Sequence, residues 1–495
     1  MSLNKFTFLS SYNPWWEEGG APFAGLPRFR RDVFADLYDD VNNLPQMISV
    51  TGPRRVGKST LLRQSIEQLI ADAGENGHAQ ARRIAYFSMD DPGLSLPGFD
   101  ADKFFNEFVT EAAKLASAGT VYLFLDEIQR FPRWELYLKK FYDLKVPVRI
   151  VVSGSASTPI FKKSRESLLG RIKDYHVLPF SYREWSVINV IDLRVAETTR
   201  AEASSALAQW GNVIRNAGEK SDHGTVSWEL LSDVVTMFGL DRQFPRIADF
   251  FYEGGFPEVW ALPTQFAKQN YLYQNQIERV IFEDLLVAAE FRKPEMLRRF
   301  YLGLLVDPGR ETNLARVSSE IALDRRTIES YFPLLEATDL VWRLHKFTGS
   351  KATAKAGNFK TYLVDMAVRN AVMKLSQEQL VADDTLMGKY AENVVANHLR
   401  RWPGLVELAY YRKGNDELDF IVDLGAARVG VEVKYRNQID EKSLWRSAVV
   451  AKELKCEGLI LVTKDVLTPA QITQTGARLG LPFAAVPLAA FLMLF

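Results

Sequence analysis

The sequence is poor in the residues that build disulfide frameworks and zinc sites. Its 495 residues include a single cysteine, Cys456, so the chain cannot form a disulfide with itself. The five histidines are scattered without the spacing of metal ligands, which also excludes a cysteine- and histidine-rich zinc site. This composition is typical of a reducing compartment, and the sequence predicts a cytoplasmic protein.

An excess of charge of one sign is also missing. Lys plus Arg and Asp plus Glu both total 61, so no overall field attracts nucleic acid or an anionic membrane. Any contact with nucleic acid must therefore come from a local patch. Apolar residues make up 47% of the chain and charged residues 25%, which is typical of globular proteins and excludes disorder throughout.

Long apolar runs are absent as well. The first residues lack the apolar stretch of a signal peptide. The longest uncharged run, 479–495, is broken by Pro482 and Pro487 and falls short of the ~20 residues that a membrane-spanning helix needs. We expect a buried strand and a short apolar helix there, and no membrane association.

Between residues 47 and 185 the sequence alternates short β-rich runs with amphipathic helical segments. Such alternation is typical of an α/β fold with a parallel sheet and helices on both faces. The predicted strands are Met47–Thr51, Ile84–Ser88, Val121–Leu125 and Val148–Ser153.

A phosphate-binding loop follows the first of these strands. The residues that fit the pattern G-x-x-x-x-G-K-[ST] are Gly52, Pro53, Arg54, Arg55, Val56, Gly57, Lys58 and Ser59, with Thr60 opening the next helix. Glycines let backbone N–H groups surround phosphate oxygens, and the helix N-terminus adds its positive dipole end. Lys58 is expected to reach the β- and γ-phosphates of ATP, and the Ser59 hydroxyl to bind Mg²⁺.

The third strand ends in the carboxylate pair Asp126 and Glu127, where ligands of open α/β sheets bind. We expect Asp126 to hold the Mg²⁺ shell and Glu127 to polarise the attacking water. Ser155, at the end of the fourth strand, either senses the γ-phosphate or forms a polar turn. Arg171 is either a finger that reaches a neighbouring subunit's nucleotide or an ordinary surface arginine.

A helix-turn-helix pattern is predicted farther along the chain. Asn313–Ile321 and Arg325–Ala337 are expected to be helices, and Val341–Leu344 a strand that forms the wing. Arg325, Arg326 and Thr327 would begin the recognition helix and contact DNA. The alternative is a module that only packs against other parts of the protein or binds a partner.

The C-terminal part combines acids and a lysine on predicted strands. Glu432 and Lys434 lie two residues apart and share one face of a strand, and Asp419 on the preceding strand can reach that face. Glu392 lies on a helix ahead of them. This set resembles the PD-(D/E)XK core of restriction-endonuclease-like folds, in which Asp419 and Glu432 would hold Mg²⁺ and Lys434 would orient water. The alternative is a hairpin with an incidental salt bridge.

The whole chain resembles bacterial and archaeal AAA-type ATPases that carry a C-terminal domain of unknown function with nuclease-like features. The motifs behind this resemblance are Asn13–Trp16, the phosphate-binding loop, Leu125–Gln129, Gly154-Ser155, Pro179–Trp185, Gly254–Pro257, Tyr390–Asn393 and the Asp419, Glu432 and Lys434 set. The resemblance implies ATP and Mg²⁺ as ligands. Residues 187–245 form a long irregular stretch that does not follow the pattern of this family.

Five segments are predicted from these features. They are an N-terminal segment (1–46), a P-loop AAA-type ATPase core (47–185), a helical lid or linker (186–300), a winged-helix-like domain (301–350) and a nuclease-like α/β domain (351–495). We expect an ATP-hydrolysing, homo-oligomeric enzyme that couples nucleotide state to nucleic acid, with DNA favoured over RNA. Whether the C-terminal domain cleaves DNA with a metal ion or only binds nucleic acid or protein stays open.

Overall fold

The structure, a computed structural model, describes most of the chain. The described residues are 7–17, 23–74, 77–92, 100–131, 133–155, 168–189, 246–285, 294–349, 358–425, 427–436, 441–464, 481 and 483–495. The chain divides into two compact units. The first consists of Met1–Leu178, Glu278–Pro294 and Ala337–Asp339, and the second of Pro179–Ile277, Glu295–Glu336 and Leu340–Phe495. Most of the predicted lid and of the irregular stretch, 190–245, lies outside the described residues.

The first unit contains a five-stranded parallel sheet, as predicted for this part of the chain. Its strands are β1 (Met47–Gly52), β2 (Ile84–Ser88), β3 (Val121–Asp126), β4 (Val148–Ser155) and β5 (Ile172–His176). Its helices are α1 (Phe34–Asn43), α2 (Lys58–Asp72), α3 (Gly77–Ala81), α4 (Ala101–Ala116) and α5 (Trp134–Asp143). The strand order β2-β3-β4-β1-β5 places β1 in the interior of the sheet, beside β4. Because all pairs are parallel, the carboxyl ends of the strands meet at one edge.

Strand β5 was missed by the sequence analysis. It is the last strand at one edge of the sheet, and its residues Ile-Lys-Asp-Tyr-His are half-buried or exposed. An edge strand of this kind carries no continuous apolar run, so its sequence gives little strand signal. Its pairing with β1 sets His176 beside Thr51, next to the phosphate-binding loop.

The opposite edge strand, β2, is covered by residues near the start of the chain. The Asn13 side chain donates to the carbonyl of Tyr86 at 2.9 Å and accepts from its N–H at 2.7 Å. The indole N–H groups of Trp15 and Trp16 both donate to the carbonyl of Ile84. These side chains satisfy backbone groups that an edge strand leaves open, so the tryptophan pair has a structural role.

The second unit contains two sheets. A three-stranded antiparallel sheet has the order β6-β8-β7, and a five-stranded mixed sheet has the order β13-β12-β11-β10-β9. The strands are β6 (Glu311–Thr312), β7 (Val341–His345), β8 (Phe359–Leu363), β9 (Glu407–Lys413), β10 (Asp416–Asp423), β11 (Arg428–Lys434), β12 (Gly458–Thr463) and β13 (Phe483–Pro487). Because β8 pairs with both β6 and β7, the smaller sheet continues past the predicted boundary at residue 350.

Helices and two π-helical segments account for much of the rest of the described chain. The helices are α6 (Tyr182–Asn189), α7 (Ile247–Glu253), α8 (Pro257–Trp260), α9 (Gln265–Leu272), α10 (Pro294–Leu304), α11 (Leu314–Ile321), α12 (Arg325–Ala337), α13 (Ala367–Met373), α14 (Gln377–Ala382), α15 (Asp384–Leu399), α16 (Glu441–Glu453) and α17 (Leu488–Leu492). The π-helical segments are Tyr273–Glu278 and Val280–Asp284. No helix in the described ranges is long and apolar enough to cross a bilayer.

The Gly254-Gly255 turn is held by a buried carboxylate. Asp365 accepts hydrogen bonds from the N–H of Gly255 at 2.6 Å and of Ala367 at 2.8 Å. Gly254 has a φ of 72°, and a Cβ there would lie 2.4 Å from an oxygen of Asp365. Burial raises the pKa of Asp365 to about 6, against the two backbone donors that lower it. The glycine pair is therefore required by close packing, and its role in the second unit is structural.

Candidate functional site

The phosphate-binding loop connects β1 to α2 at the carboxyl edge of the parallel sheet. Gly52, with a φ of 146°, lies so close to the next segment that a Cβ would be 2.1 Å from the carbonyl oxygen of Val177. Gly57 has a φ of 93° and precedes the first turn of α2. Leu61 donates the first backbone bond of that helix, to Gly57, so the N–H groups before it have no acceptor within the helix. The loop thus offers a turn of backbone donors suited to an anion.

Lys58 is the first residue of α2 and is buried. Its ammonium donates to the carbonyl oxygens of Gly52 at 3.1 Å and Pro53 at 2.8 Å. Burial lowers the pKa of Lys58, while the charges of Glu127 and Asp126 oppose this shift. A buried cation held against the loop's own backbone can turn toward phosphate oxygens, which are stronger acceptors than carbonyls.

Asp126 and Glu127 lie at the end of β3, where the strand meets the same edge of the sheet. Asp126 accepts from the Tyr86 hydroxyl at 2.8 Å and from the Ser153 hydroxyl, so its buried carboxylate is fixed in position. Glu127 turns off the strand with a φ of 51° and accepts from the side-chain amide of Gln129. Burial raises the pKa of Glu127, Lys58 lowers it, and the balance is upward.

The other predicted nucleotide-binding residues lie around this loop. Pro53, Arg54, Arg55 and Val56 form its turn, Ser59 and Thr60 follow Lys58 in the first turn of α2, and Ser155 ends β4. Ser155 is buried and pairs with Gly52 in the parallel register of β1 and β4. The strand end predicted to sense phosphate therefore borders the start of the loop.

Two charged neighbours of the loop were missed by the sequence analysis. The guanidinium of Arg54 forms an ion pair with the buried carboxylate of Asp284, with the Nε–Oδ2 distance 2.6 Å. His176 contacts the Thr51 hydroxyl at 3.2 Å through Nδ1 and the Asp339 carboxylate at 2.9 Å through Nε2. Both acids come from segments far along the chain that fold into the first unit, so no local pattern could indicate them.

Arg171 lies at the other end of the sheet. Its carbonyl accepts from the N–H of Met47 at the start of β1, and its guanidinium pairs with Asp143 at 2.8 Å. Strand β1 runs six residues from that point to the loop, about 17–20 Å along the strand. Arg171 therefore does not reach the phosphate-binding loop of its own chain, and the finger role stays a prediction about a second copy.

A second candidate site lies within the second unit, in a cleft of about 760 Å³. Helix α15 supplies Glu392, strand β10 supplies Glu417 and Asp419, strand β11 supplies Glu432 and Lys434, and strand β8 supplies Lys360. The four residues that the sequence analysis selected thus converge on one cleft.

Asp419 and Glu432 are close neighbours on adjacent strands, since Phe420 pairs with Val431 in antiparallel register. The carboxylate of Asp419 accepts from the N–H of Val433 at 2.9 Å, and Glu432 accepts from the N–H of Asp419 at 3.3 Å. Lys434 donates to Glu432. Each side chain is thereby fixed with its carboxylate toward the cleft.

Lys360 was missed by the sequence analysis although it lies at the centre of this cluster. Its side chain is 4% exposed, and its ammonium is 3.0 Å from Glu392, 3.1 Å from Glu417 and 3.7 Å from Asp419. Glu392 also accepts from the Tyr362 hydroxyl at 2.7 Å. Lys360 and Tyr362, two residues apart on β8, therefore both hold the carboxylate of Glu392 in place.

The electrostatics of the cleft follow from burial of like charges. Burial first, and then the charge of Asp419, raises the pKa of Glu432 to about 7. Burial also raises the pKa of Glu392, against the lowering effect of Lys360. For Lys434 the carboxylates outweigh burial, and its pKa is raised. Carboxylates that repel each other in a buried site are relieved by a cation.

The carboxylate oxygens of Asp419 and Glu432 suit Mg²⁺, an ion that usually keeps several water ligands. In the described part of the chain, no group of three or more His, Cys, Asp or Glu side chains is arranged to hold a metal ion. Mg²⁺ is commonly bound by one or two carboxylates with water completing its shell, which Asp419 and Glu432 could provide in the cleft. Asp126 with the Ser59 hydroxyl could do so at the phosphate-binding loop.

The predicted DNA-contacting residues lie at the start of α12. Arg325 forms an exposed ion pair with Glu329 at 2.9 Å, and Arg326 is exposed. Thr327 donates its hydroxyl and its N–H to Asp324, which caps the helix. The positive charge of Arg325 at the start of α12 is thus partly compensated by Glu329 of the same helix.

Comparison with known proteins identifies three regions. Residues 44–186 match the model of a family described as an AAA domain. Residues 245–379 and 387–475 match two families described as domains of unknown function, DUF8612 and DUF4143. The chain therefore contains an AAA-type P-loop ATPase domain, and this part of the prediction is confirmed.

Two relatives described as uncharacterized proteins match most of the chain. The chain is 25% identical over 88% of its length to the uncharacterized protein MJ1637 of Methanocaldococcus jannaschii, covering 87% of that protein. It is 22% identical over 86% of its length to the uncharacterized protein Rv2008c of Mycobacterium tuberculosis, covering 78% of that protein.

Solved structures share little with the chain as a whole. Caenorhabditis elegans PCH-2 gives a TM-score of 0.24 with 11% identity, covering 62% of this chain and 67% of that one. AMPPCP-bound DnaA from Aquifex aeolicus gives a TM-score of 0.23 with 14% identity, covering 66% and 92%. These scores are too low to carry an argument about the fold.

Proposed function

We propose that the first unit binds and hydrolyses ATP with Mg²⁺. The observation that carries this proposal is the meeting of Lys58, Asp126 and Glu127 at the phosphate-binding loop, with Lys58 under the charge of both acids. Mg²⁺ bound beside the Ser59 hydroxyl and Asp126 would neutralise charge on the phosphates. Lys58 would bind phosphate oxygens, and Glu127, whose pKa is raised by burial, would take the proton of the attacking water.

ATP hydrolysis by purified variants tests this proposal. Glu127→Gln keeps the size of the side chain but removes the base, so kcat should fall about 100-fold or more while ATP still binds. Lys58→Ala should weaken ATP binding itself, because the buried cation is lost. The control is Glu107→Gln, an exposed carboxylate on α4. Hydrolysis by Glu127→Gln at the rate of the control would refute the assignment.

We also propose that the ATPase acts as a homo-oligomer in which Arg171 reaches a second copy's nucleotide. Because Arg171 lies at the far end of β1 from its own loop, it could act only on a nucleotide that a second copy binds. Arg171→Ala should lower kcat by about 10³-fold with little change in ATP affinity. Mixing Arg171→Ala with Lys58→Ala should restore part of the activity. Full activity of Arg171→Ala, or of a strictly monomeric protein, would contradict the finger role.

For the second unit we propose metal-dependent handling of DNA, including cleavage in the cleft. The observation that supports it is the convergence of Glu392, Asp419, Glu432 and Lys434 around one opening. Asp419 and Glu432 would hold the cation against a phosphodiester, and Lys434 would orient the attacking water. Arg326 on α12 would add a phosphate contact in a winged-helix arrangement.

Cleavage is tested with plasmid and linear DNA in the presence of Mg²⁺ or Mn²⁺, with and without ATP. Asp419→Asn should abolish cleavage and leave ATP hydrolysis intact, whereas Asp416→Asn, an exposed acid on the same strand, should cleave normally. Equal cleavage by both variants would indicate a contaminant.

The second candidate function is a nucleotide-dependent switch whose cleft only binds nucleic acid or protein. The ion pairs of Lys360 and Lys434, which already compensate part of the acidic charge, favour this candidate. DNA binding without cleavage by wild-type protein, in either metal, would select it.

A further inference from the structure

Two short segments fold with the first unit although the chain on both sides of each belongs to the second unit. They are Glu278–Pro294 and Ala337–Asp339. Each carries a buried acid, Asp284 in one and Asp339 in the other, and both acids make contacts beside the phosphate-binding loop. The chain itself therefore connects these two contacts directly to the second unit.

Asp284 holds an arginine of the loop. The guanidinium of Arg54 donates two hydrogen bonds to its carboxylate, with an Nε–Oδ2 distance of 2.6 Å and an Nη2–Oδ1 distance of 2.5 Å. A guanidinium binds phosphate through the same pair of parallel N–H groups that it offers to a carboxylate. Arg54 is the third residue of the loop, so phosphates bound there and Asp284 are rival acceptors for these two donors.

Asp339 is held less completely than Asp284. Its Oδ1 lies 2.9 Å from Nε2 of His176, whose Nδ1 contacts the hydroxyl of Thr51 just before the loop. Its Oδ2 is buried and has no hydrogen-bond partner within the described part of the chain. A buried carboxylate oxygen without a donor is costly, so this contact is less stable than a fully paired one. Added negative charge nearby is therefore able to break it.

Both acids act on the lysine that phosphates would bind. Burial lowers the pKa of Lys58, and the charges of four carboxylates oppose this shift. After Glu127 and Asp126, these are Asp339 and Asp284. Phosphates that enter the loop bring negative charge beside buried carboxylates, where water screens the repulsion only weakly. Bound phosphates and the two acids from distant segments therefore oppose each other.

We infer that the Arg54–Asp284 and His176–Asp339 contacts form a latch that nucleotide opens. Phosphates bound in the loop take Arg54 from Asp284 and repel Asp339, so the segments that carry these acids leave the loop when ATP binds. Because both segments continue into the second unit, their release transmits the nucleotide state along the chain. Coupling between two events is reciprocal, so the closed latch also weakens ATP binding. This inference rests on the ATP binding proposed above for the first unit.

The first test is the affinity of the full-length protein for a non-hydrolysable ATP analogue with Mg²⁺, measured by calorimetry. Asp339→Asn keeps the size of the side chain but removes its charge, so it should bind the analogue at least about fivefold tighter than wild type. Asp284→Asn should show the same gain, because an amide competes less well than a carboxylate for the guanidinium of Arg54. The matched control is Asp174→Asn, an exposed acid on β5 two residues before His176, whose affinity should equal that of wild type.

Hydrogen exchange of the wild-type protein tests the movement itself. With the analogue bound, the backbone amides of 280–285 and 336–341 should exchange at least about fivefold faster, since the two segments leave their contacts. Amides of the phosphate-binding loop should exchange more slowly, because they donate to phosphate. Lys58→Ala should show neither change at concentrations of the analogue that it does not bind. This measurement needs no variant of the latch, so it decides alone if Asp339→Asn or Asp284→Asn does not fold, as judged by circular dichroism.

The outcomes separate the latch from the ATP binding on which it rests. Wild-type protein may bind the analogue while either folded variant, Asp339→Asn or Asp284→Asn, binds it no more tightly than Asp174→Asn. That result would overturn the latch and leave ATP binding standing, and so would unchanged or slower exchange of either segment with the analogue bound. No binding of the analogue by folded wild-type protein would remove the proposed ATPase function and the latch with it.

Discussion

His398 should make the second unit sensitive to acid. The ring is 2% exposed, and its two nitrogens have different partners. Nε2 accepts from the backbone N–H of Tyr182 at 3.0 Å, so the proton resides on Nδ1 and is donated to the carbonyl of Val394 at 2.7 Å. Burial, and then the positive charge of Arg401, lowers the pKa of His398 from 6.5 to about 3.

The sign and size of the effect follow from proton linkage. The unfolded chain takes up a proton at His398 below its ordinary pKa of about 6.5, whereas the folded protein resists protonation down to about 3. Stability is therefore complete above the unfolded pKa and is lost as the pH falls through this window. Between about pH 7.5 and pH 5, this one group should lower the free energy of unfolding by about 2 kcal/mol.

The substitution His398→Gln removes the titration but keeps an acceptor for the N–H of Tyr182. The variant should be less stable than wild type at pH 7.5 by about 1–3 kcal/mol, since a buried hydrogen bond is weakened. At pH 5 the difference should shrink by about 2 kcal/mol, because only wild type then loses stability at this position. The remaining histidines are common to both proteins, so their titration cancels in the difference.

Urea unfolding at both pH values, followed by circular dichroism, measures this difference. The transition whose midpoint shifts in His398→Gln reports the second unit, and its dependence on pH is compared between the two proteins. If wild type and variant lose the same free energy of unfolding between these pH values, the ring is not held neutral and the reasoning fails.

Three further predictions concern other positions. Gly52→Ala should weaken ATP binding at least tenfold in calorimetry, because a Cβ 2.1 Å from a backbone oxygen must displace the loop; unchanged affinity would contradict this close contact. Asp284→Asn should lower the free energy of unfolding by about 2 kcal/mol in urea, since it removes the charged partner of Arg54. The exposed Glu283→Gln should cost less than about 1 kcal/mol, and equal costs would argue against the Asp284 pair. Burial raises the pKa of Cys456 to about 12, so Ellman's reagent should label the thiol only after unfolding, and rapid labelling of native protein would refute its burial.

The sequence predicted the phosphate-binding loop because its chemistry is local. Gly52, Lys58 and Ser59 must follow each other at fixed spacing for the backbone to surround a phosphate, so the pattern is complete within one loop. The parallel sheet was predicted for a related reason, since its buried strands are continuous apolar runs. Strand β5 was missed because only half of an edge strand faces the core, which leaves the polar residues of Ile172–His176 without a recognisable period.

The partners of that loop were not predictable in the same way. Asp284 lies 230 residues after Arg54, and Asp339 lies 163 residues after His176. Nothing in the neighbouring sequence distinguishes these acids from solvated ones, because an ion pair between distant segments requires only that folding bring two opposite charges together. Their burial beside the loop is information that the tertiary structure alone supplies.

The cleft that Glu392, Asp419, Glu432 and Lys434 line was predicted from the sequence only in part. Alternation along β10 and β11 was enough to bring Asp419, Glu432 and Lys434 to one face, since side chains two residues apart point the same way. Lys360 belongs to a different sheet, 32 residues before Glu392, and its strand gives no sign that its ammonium is buried among acids. The sequence therefore predicted which carboxylates gather, whereas their pairing with a buried ammonium depends on contacts made only in the folded chain.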